Sequence, residues 1–141
     1  MEFLITADDS VCDNQWWKNL FELYAKPGLY FEIHCWSDEA DALLSATKYG
    51  SVACYSMPDI KIVHGTLNER LIRSFMREAK PSDRSCYNKM VPYFTIRIGS
   101  SFSSEKYGTE ILLNTDHIVQ QDMIEDVIRH RAEHIRFYHC D

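Results

Sequence analysis

The stretch LYFEIHCWSDEADALLSATKYG, residues 29–50, indicates the fold class because its hydrophobic period changes once. Apolar side chains alternate with others over residues 29–36, and the aromatic and β-branched content suits a pleated strand. Ser37 then offers a hydroxyl that can cap a helix, and acidic residues follow where the exposed N–H groups of a first turn favour negative charge. Gly50 can end this helix in the left-handed conformation. We therefore expect a strand that leads directly into a capped helix.

The chain before this stretch predicts the same pair of elements. Residues 2–6 read as a short strand, and Asp13 or Asn14 can cap a helix that runs to about Ala25. Pro27 then ends the helix. An order of strand, helix, strand, helix favours a parallel or mixed sheet, in which the first two strands would be parallel.

The rest of the chain predicts more strands than helices. The sequence TLNE at residues 66–69 matches a capping box, so a helix should begin at Thr66 and run to about Ala79. Further strands are expected at residues 51–55, 60–64, 91–98 and 107–114, the last two joined as a hairpin by a Gly/Ser-rich loop. A long helix is expected at residues 119–138. Together these elements predict one α+β domain over residues 1–141, with a mixed, largely antiparallel sheet of five to six strands and about four helices.

The distribution of charge restricts the class of partner. The net charge is −6, and residues 1–64 hold ten acidic residues against four basic ones, whereas residues 65–141 hold eleven of each. Direct binding of nucleic acid by the acidic part is disfavoured, because phosphate contacts need positive charge. An acidic surface instead attracts a basic protein, and a nuclease is one such protein.

Location and cysteine chemistry follow from simple counts. No apolar run approaches the roughly 18 residues that span a bilayer, and no secretory leader is recognisable, so a cytoplasmic protein without membrane contact is expected. Five cysteines lie far apart without C-x-x-C spacing, which favours reduced thiols, two or three of them in the core. A single catalytic cysteine with a remote histidine stays open as an alternative.

Six carboxylates and one tryptophan form the candidate binding surface. If the first two strands are parallel, the segments that follow them meet at one end of the sheet. Trp16 would supply an exposed aromatic centre, as is common in binding hot spots. The alternatives are that the acids only stabilise helix starts and that Trp16 belongs to the core. The candidate carboxylates are Asp8, Asp9, Asp13, Asp38, Glu39 and Asp41.

The sequence HRAEH at residues 130–134 carries the most reactive-looking pattern. His130 and His134 at i, i+4 would share one helix face and could hold zinc. The string resembles the inverzincin metalloprotease motif, which implies Glu133 as general base. It departs from that family because only seven residues follow His134, which leaves no room for the distant third ligand. Surface histidines on a charged helix are the competing interpretation.

The leading hypothesis is an acidic protein-binding module that is not an enzyme and needs no cofactor. Small acidic single-domain proteins that neutralise a toxic nuclease, of the immunity or antitoxin type, have this size and charge. A small zinc- or cysteine-dependent hydrolase is the first alternative, and an oligomerising structural subunit is the second. A different working surface is also open, since the arginines at positions 70, 73 and 77 could contact phosphate or an acidic protein.

Overall fold

The computed structural model describes residues 2–115, 121–129 and 134–140 and has α+β architecture. Within these ranges there are four helices and eight strands. In chain order they are β1 (Glu2–Ala7), α1 (Gln15–Tyr24), β2 (Tyr30–Trp36), α2 (Ala40–Ala46), β3 (Ser51–Val52), β4 (Ile60–Thr66), α3 (Glu69–Met76), β5 (Thr95–Ile98), β6 (Phe102–Glu105), β7 (Glu110–Asn114), α4 (Gln121–Ile128) and β8 (Ile135–Cys140).

The eight strands form one open sheet in the order β3-β4-β2-β5-β6-β7-β1-β8. Every neighbouring pair is antiparallel. The α+β class and the four helices are confirmed, but the prediction of a mixed sheet with five to six strands is wrong. The order of elements was misleading because β1 and β2 are not neighbours, so the helix between them is not a crossover between adjacent parallel strands.

Strand β6 lies within the stretch that we expected to be a Gly/Ser-rich loop. Phe102 and Ser104 point into the core, while the residues between and after them point outward. Trp17 and Phe21 of α1 pack edge-on against Phe102, with ring centroids at 6.1 and 5.9 Å. The expected hairpin of residues 91–98 with 107–114 is therefore wrong, since β6 separates the two strands.

The last predicted helix is confirmed in its first part only, because it ends early and a strand follows it. Helix α4 ends at Ile128, and β8 begins at Ile135 and pairs with β1. Ile135 and Phe137 face the core side of the sheet and Arg136 faces the other side, which is the period of a strand. The apolar residues of this strand also have the spacing of a helical stripe, so the sequence pattern did not distinguish a strand from a helix here.

Neither of two predicted helix caps forms, and only one of the two helices has another side-chain cap in its place. Ser37 does not cap α2, and its hydroxyl instead donates to the Asp59 carbonyl oxygen at 3.1 Å. Helix α3 is capped by Asn68, whose side chain accepts from the Leu71 N–H at 2.9 Å, so the prediction of a cap at Thr66 is wrong. Both helices start later than expected, and the strand before α3 extends to Thr66, two residues further than predicted.

The core lies on one face of the sheet only. All four helices contribute to a single buried cluster, in which Phe75 of α3 contacts Phe31 of β2 and stacks on Tyr49 at 3.9 Å. The opposite face is open, and residues such as Arg97 and Leu112 are exposed there. No helix in the described ranges is long and apolar enough to cross a membrane.

We expect Ser104→Ala to lower the free energy of unfolding by about 1–3 kcal/mol, because Trp17 would lose its acceptor. The fully buried Ser104 hydroxyl accepts from Trp17 Nε1 at 2.9 Å. Urea denaturation followed by tryptophan fluorescence measures the change. Ser103→Ala on the outward face of the same strand is the matched control and should cost less. Equal costs for the two variants would contradict the role of this hydrogen bond.

Candidate functional site

The two acidic segments lie at the same end of the sheet. Strands β1 and β2 run in the same direction, because three strands lie between them and every neighbouring pair is antiparallel. Residues 8–13 follow the end of β1, and residues 38–41 follow the end of β2. The two segments are separated by four strand spacings, or about 19 Å. We call this surface the acidic end; it comprises Asp8, Asp9, Asp13, Asp38, Glu39 and Asp41.

The segment of residues 80–92 crosses the space between the two acidic segments. Buried Asn88 donates from Nδ2 to the carbonyl oxygens of Asp8 at 3.2 Å and Val11 at 2.9 Å. Lys80 Nζ donates to Asn88 Oδ1 at 2.6 Å, and Arg84 donates to the Asp9 carbonyl oxygen. These bonds fix the first acidic segment to the crossing segment, so the spacing across the acidic end is set by the fold.

The second acidic segment forms one wall of a groove of about 640 Å³. Residues 38–42 line one side, and residues 81–83 with Lys89 and Pro92 line the other. Lys89 is largely buried, with its Nζ 3.1 Å from Asp83 Oδ2 and 3.6 Å from Glu39 Oε2. The groove therefore contains one internal cation that neutralises part of its negative charge.

Three of the six carboxylates are engaged within the chain. Asp8 Oδ1 accepts from the Ser10 N–H at 2.8 Å and from its hydroxyl, and these bonds, above all the hydroxyl, hold the pKa of Asp8 below its ordinary value. Asp13 Oδ1 accepts from the Gln15 N–H at 3.0 Å. Glu39 accepts from the Tyr107 hydroxyl at 2.8 Å besides its contact with Lys89.

The other three carboxylates face solvent. Asp9, Asp38 and Asp41 are exposed, and among the described residues none of them enters a salt bridge. Two further exposed acids, Asp59 and Asp83, lie beside the second segment, since Asp59 bonds Ser37 through its carbonyl oxygen and Asp83 lines the groove. Sequence reasoning did not assign these two to the surface, because each is remote from it along the chain.

Trp16 is not the exposed centre that we expected. Its side chain is 1% exposed in the core, so the prediction of a partner contact is wrong for this residue. The indoles of Trp16 and Trp17 are both buried because α1 packs over the middle of the sheet. Two adjacent tryptophans on a helix were compatible with one inward and one outward ring, and the sequence did not distinguish that case from two inward rings.

Another aromatic cluster lies next to the acidic residues. Trp36 ends β2, and its ring contacts Phe94 edge-on at 5.1 Å; Phe94 contacts Tyr107 at 5.2 Å, and Tyr107 contacts Tyr87 at 5.4 Å. Trp36, Phe94 and Tyr87 are half-buried, whereas Tyr107 is buried. Trp36 comes just before the acidic segment along the chain, which is the sequence signal that would have identified it.

His134, the second residue of the predicted helical pair, does not lie on a helix. His134 lies in a turn before β8, where its Nδ1 is 2.5 Å from Ser10 Oγ and 3.5 Å from Asp8 Oδ2. His130, Arg131 and Glu133 lie outside the described residues. Within the described ranges there is no group of three or more His, Cys, Asp or Glu side chains that could hold a metal ion.

The cysteines are less buried than we expected. Cys35 is the only buried one, so the prediction of two or three core thiols is wrong. Burial, with a smaller contribution from the negative charge of Glu39, raises the pKa of Cys35 to about 12. This opposes thiolate formation, on which nucleophilic chemistry depends.

The arginine row at Arg70, Arg73 and Arg77 is exposed along α3 and its C-terminus.

A polar cluster on the open face of the sheet was not predicted. Glu32 accepts from His34 Nε2 at 3.0 Å on one oxygen, and from the Tyr55 and Tyr30 hydroxyls at 2.8 and 3.0 Å on the other. Burial raises the pKa of Glu32, but these hydrogen bonds outweigh it and the pKa lies below its ordinary value. Tyr30 also lies 3.2 Å from His64 Nδ1. The cluster attaches the loop that carries Tyr55 to the sheet and leaves no oxygen of Glu32 without a donor.

We expect the Asp83 carboxyl to titrate near pH 2. The Ser85 N–H and hydroxyl donate to it, and Lys89 adds a hydrogen bond and a positive charge, so its pKa falls from 3.8 to about 2. The interaction stabilises the folded state above pH 3.8 and is lost as the pH falls towards 2. Carboxyl ¹³C NMR should show the pKa rising in Lys89→Gln and unchanged in Lys106→Gln, which breaks a different pair. A pKa near 3.8 in the unmodified protein would contradict the geometry.

Comparisons of the chain with protein-family models, with curated proteins and with solved structures find no match. The contacts, burial and charges of the described residues are therefore the basis for assigning a function.

Proposed function

We propose that this chain is a protein-binding module whose acidic end covers a basic surface of another protein. In its most concrete form it is an inhibitor of the immunity or antitoxin type, and the basic partner is a nuclease. The observation that carries the proposal is the common direction of β1 and β2, since it brings both acidic segments to one end of the sheet.

The state of the carboxylates supports a surface for recognition. Asp9, Asp38 and Asp41 are exposed and enter no salt bridge within the described part of the chain. Exposed like charges repel one another in the isolated protein, and a basic partner relieves that repulsion. The groove of about 640 Å³ beside residues 38–42 offers space for basic side chains, whereas a flat acidic surface would offer only long-range attraction.

Rigidity of the surface also supports the proposal. The crossing segment of residues 80–92 is bonded to the first acidic segment through Asn88 and to the second through Lys89. A surface whose spacing is already fixed loses little conformational entropy on binding. The half-buried ring of Trp36 beside the carboxylates supplies apolar contact area, which charge alone does not.

A nuclease fits this surface because its substrate channel must be basic. Phosphate contacts require clustered lysines and arginines, and those side chains would meet the carboxylates in place of phosphates. Binding would then compete with nucleic acid and weaken with salt, because both ligands occupy the same positive field.

We expect the triple variant Asp9→Lys, Asp38→Lys, Asp41→Lys to bind the partner at least about a hundredfold more weakly, because like charges would face each other. A basic protein captured on the immobilised chain from extract of its source cell is purified, and its Kd is measured by calorimetry at low and high salt.

The matched control for this experiment is Glu2→Lys, Glu22→Lys, Glu69→Lys. It changes three exposed carboxylates away from the acidic end and has the same net charge. The control should keep the wild-type Kd within a few-fold. Equal weakening in both triples, or a Kd independent of salt, would overturn the proposal, because either result means that the acidic end is not the specific contact.

We also expect Trp36→Ala to weaken binding of the same partner by about 30-fold or more, as truncation of an aromatic anchor does. Trp16→Phe is the control, since it removes a buried indole N–H that has no acceptor among the described residues and leaves the surface unchanged. Circular dichroism confirms that both variants are folded. An unchanged Kd for Trp36→Ala would exclude the aromatic cluster from the interface.

A further inference from the structure

Three glutamates of the described chain accept hydrogen bonds from tyrosine hydroxyls, and two of these clusters also contain a lysine. In the first cluster, Glu78 Oε1 accepts from Tyr49 and Tyr93 at 2.7 and 2.9 Å. Lys48 Nζ lies 3.0 Å from the same oxygen and 5.0 Å from the centre of the Tyr49 ring. The ammonium of Lys48 therefore contacts both a carboxylate and the face of a tyrosine that is bonded to that carboxylate.

The second cluster combines the same three kinds of side chain. The Tyr107 hydroxyl donates to Glu39 Oε1 at 2.8 Å, and Lys89 Nζ lies 3.6 Å from Glu39 Oε2. The same ammonium is 4.4 Å from the centre of the Tyr107 ring. The face of an aromatic ring attracts a cation, and a hydroxyl that donates to a carboxylate makes that face more negative. In both clusters a tyrosine bonded to a glutamate thus holds a lysine of its own chain.

The third cluster lies on the open face of the sheet and consists of Tyr30, Glu32 and Tyr55; we call it the open-face cluster. Both hydroxyls donate to Glu32 Oε2, at 3.0 and 2.8 Å, and their oxygens are 2.6 Å apart. The hydrogen bonds to Tyr30 and Glu32 raise the pKa of Tyr55, so its hydroxyl keeps the proton that it donates. Tyr30 is 45% exposed and Tyr55 is 50% exposed, so both rings are accessible to another molecule.

The open-face cluster differs from the other two in its cation. Among the described residues no lysine or arginine lies over either of its rings. His34 Nε2 bonds the other oxygen of Glu32 at 3.0 Å, and Arg97, opposite Glu32 in the register of β2 and β5, has its guanidinium 3.4 Å from Glu105. Glu32 Oε2 therefore has the same two tyrosine donors as Glu78 Oε1, and an ammonium from another molecule would give it the same third donor.

We propose that the open-face cluster binds the ammonium group of a lysine side chain on another protein. Glu32 supplies the negative charge, and the exposed faces of Tyr30 and Tyr55 supply the cation–π contact. Lysine is the assigned occupant because both internal clusters hold an ammonium over the ring. The two rings are already held by their hydrogen bonds to Glu32, so little conformational entropy is lost when the side chain binds.

The open-face cluster is separate from the acidic end. Tyr30 begins β2 and Trp36 ends it, so the two surfaces are about 20 Å apart along the strand. The proposal therefore does not rest on the basic partner of the acidic end. It is tested with a small probe, and a negative result leaves the function proposed for the acidic end unchanged.

The test is a titration of the full chain, with ¹³C-labelled tyrosine rings, with Nα-acetyl-lysine methylamide, which carries one lysine side chain and no other charge. At constant ionic strength the NMR signals of Tyr30 and Tyr55 should shift along one saturating curve, with a Kd on the order of 10 mM. The same probe acetylated at Nε has no positive charge and should cause no saturating shift. Tyr138 is the control ring, since it is 47% exposed and donates to no carboxylate among the described residues.

Variants identify the groups that bind the probe. Glu32→Gln keeps the size of the side chain but removes its charge, so it should weaken binding at least about fivefold. Tyr55→Leu removes one ring at an exposed position and should weaken binding similarly, which keeps the test decisive if Glu32→Gln does not fold. Tyr138→Leu is the matched control variant and should keep the Kd of the unmodified protein. Circular dichroism establishes that each variant is folded.

Several results would overturn the proposal. A lack of saturation at Tyr30 and Tyr55, an equal shift at Tyr138, or equal binding of the acetylated probe would mean that the open-face cluster is not a cation site. An unchanged Kd in folded Glu32→Gln or Tyr55→Leu would mean the same. Tighter binding of Nα-acetyl-arginine methylamide would overturn the assignment of lysine as the occupant.

Discussion

The packing of α1 on β6 is the constraint on which the rest of the structure depends. Trp17 and Phe21 cover Phe102, and Trp17 also donates to Ser104. These contacts hold the four-residue strand β6 between β5 and β7. The presence of β6 reverses the direction of β7 and of β1 relative to β2. Because three strands lie between β1 and β2, these two strands run in the same direction and finish at the same end of the sheet. If only two strands lay between them, they would run in opposite directions, and the two acidic segments would lie at opposite ends of the sheet. A short, serine-rich strand thus determines where the charge of the first sixty-four residues collects.

A count of acidic residues does not by itself identify a binding surface, because some carboxylates stabilise the fold through internal hydrogen bonds. Asp8 and Asp13 accept bonds from nearby backbone N–H groups, and Glu39 is engaged by Tyr107 and Lys89. These groups hold loops and a helix start in place. The exposed carboxylates are attached to loops whose conformation is fixed by the hydrogen bonds of the engaged carboxylates. An acidic cluster can therefore persist in a stable protein, since these internal hydrogen bonds offset part of the repulsion among the exposed charges.

The sequence was sufficient for the fold class, for all four helices and for most strands, because these elements carry a clear period of 3.6 or 2. It failed where local signals were ambiguous. The serines of β6 are weak strand formers, and the burial of Ser104 depends on a hydrogen bond from the indole N–H of Trp17, which is remote in sequence. Residues 135–138 fit a helical stripe or a strand equally well, and only pairing with β1 decides between them. The position of the candidate carboxylates at one end of the sheet was predictable, but the burial of Trp16 was not, since the side to which Trp16 points is fixed by how α1 lies on the sheet.

Two clusters of perturbed or buried ionisable groups are hydrogen-bonded within the described part of the chain. Buried Tyr49 and Tyr93 donate to Glu78 at 2.7 and 2.9 Å, and Lys48 lies 3.0 Å from the same oxygen. Burial raises the pKa of both tyrosines, and Glu32 on the open face has donors at both of its oxygens. In a catalytic site, shifted groups are aimed at a space where a substrate can sit. Here each of these groups is directed at another side chain, which ties helices and loops to the sheet. The carboxylates of Asp9, Asp38 and Asp41, by contrast, face solvent at the acidic end, which is why the proposed contact with a basic protein is assigned to that surface.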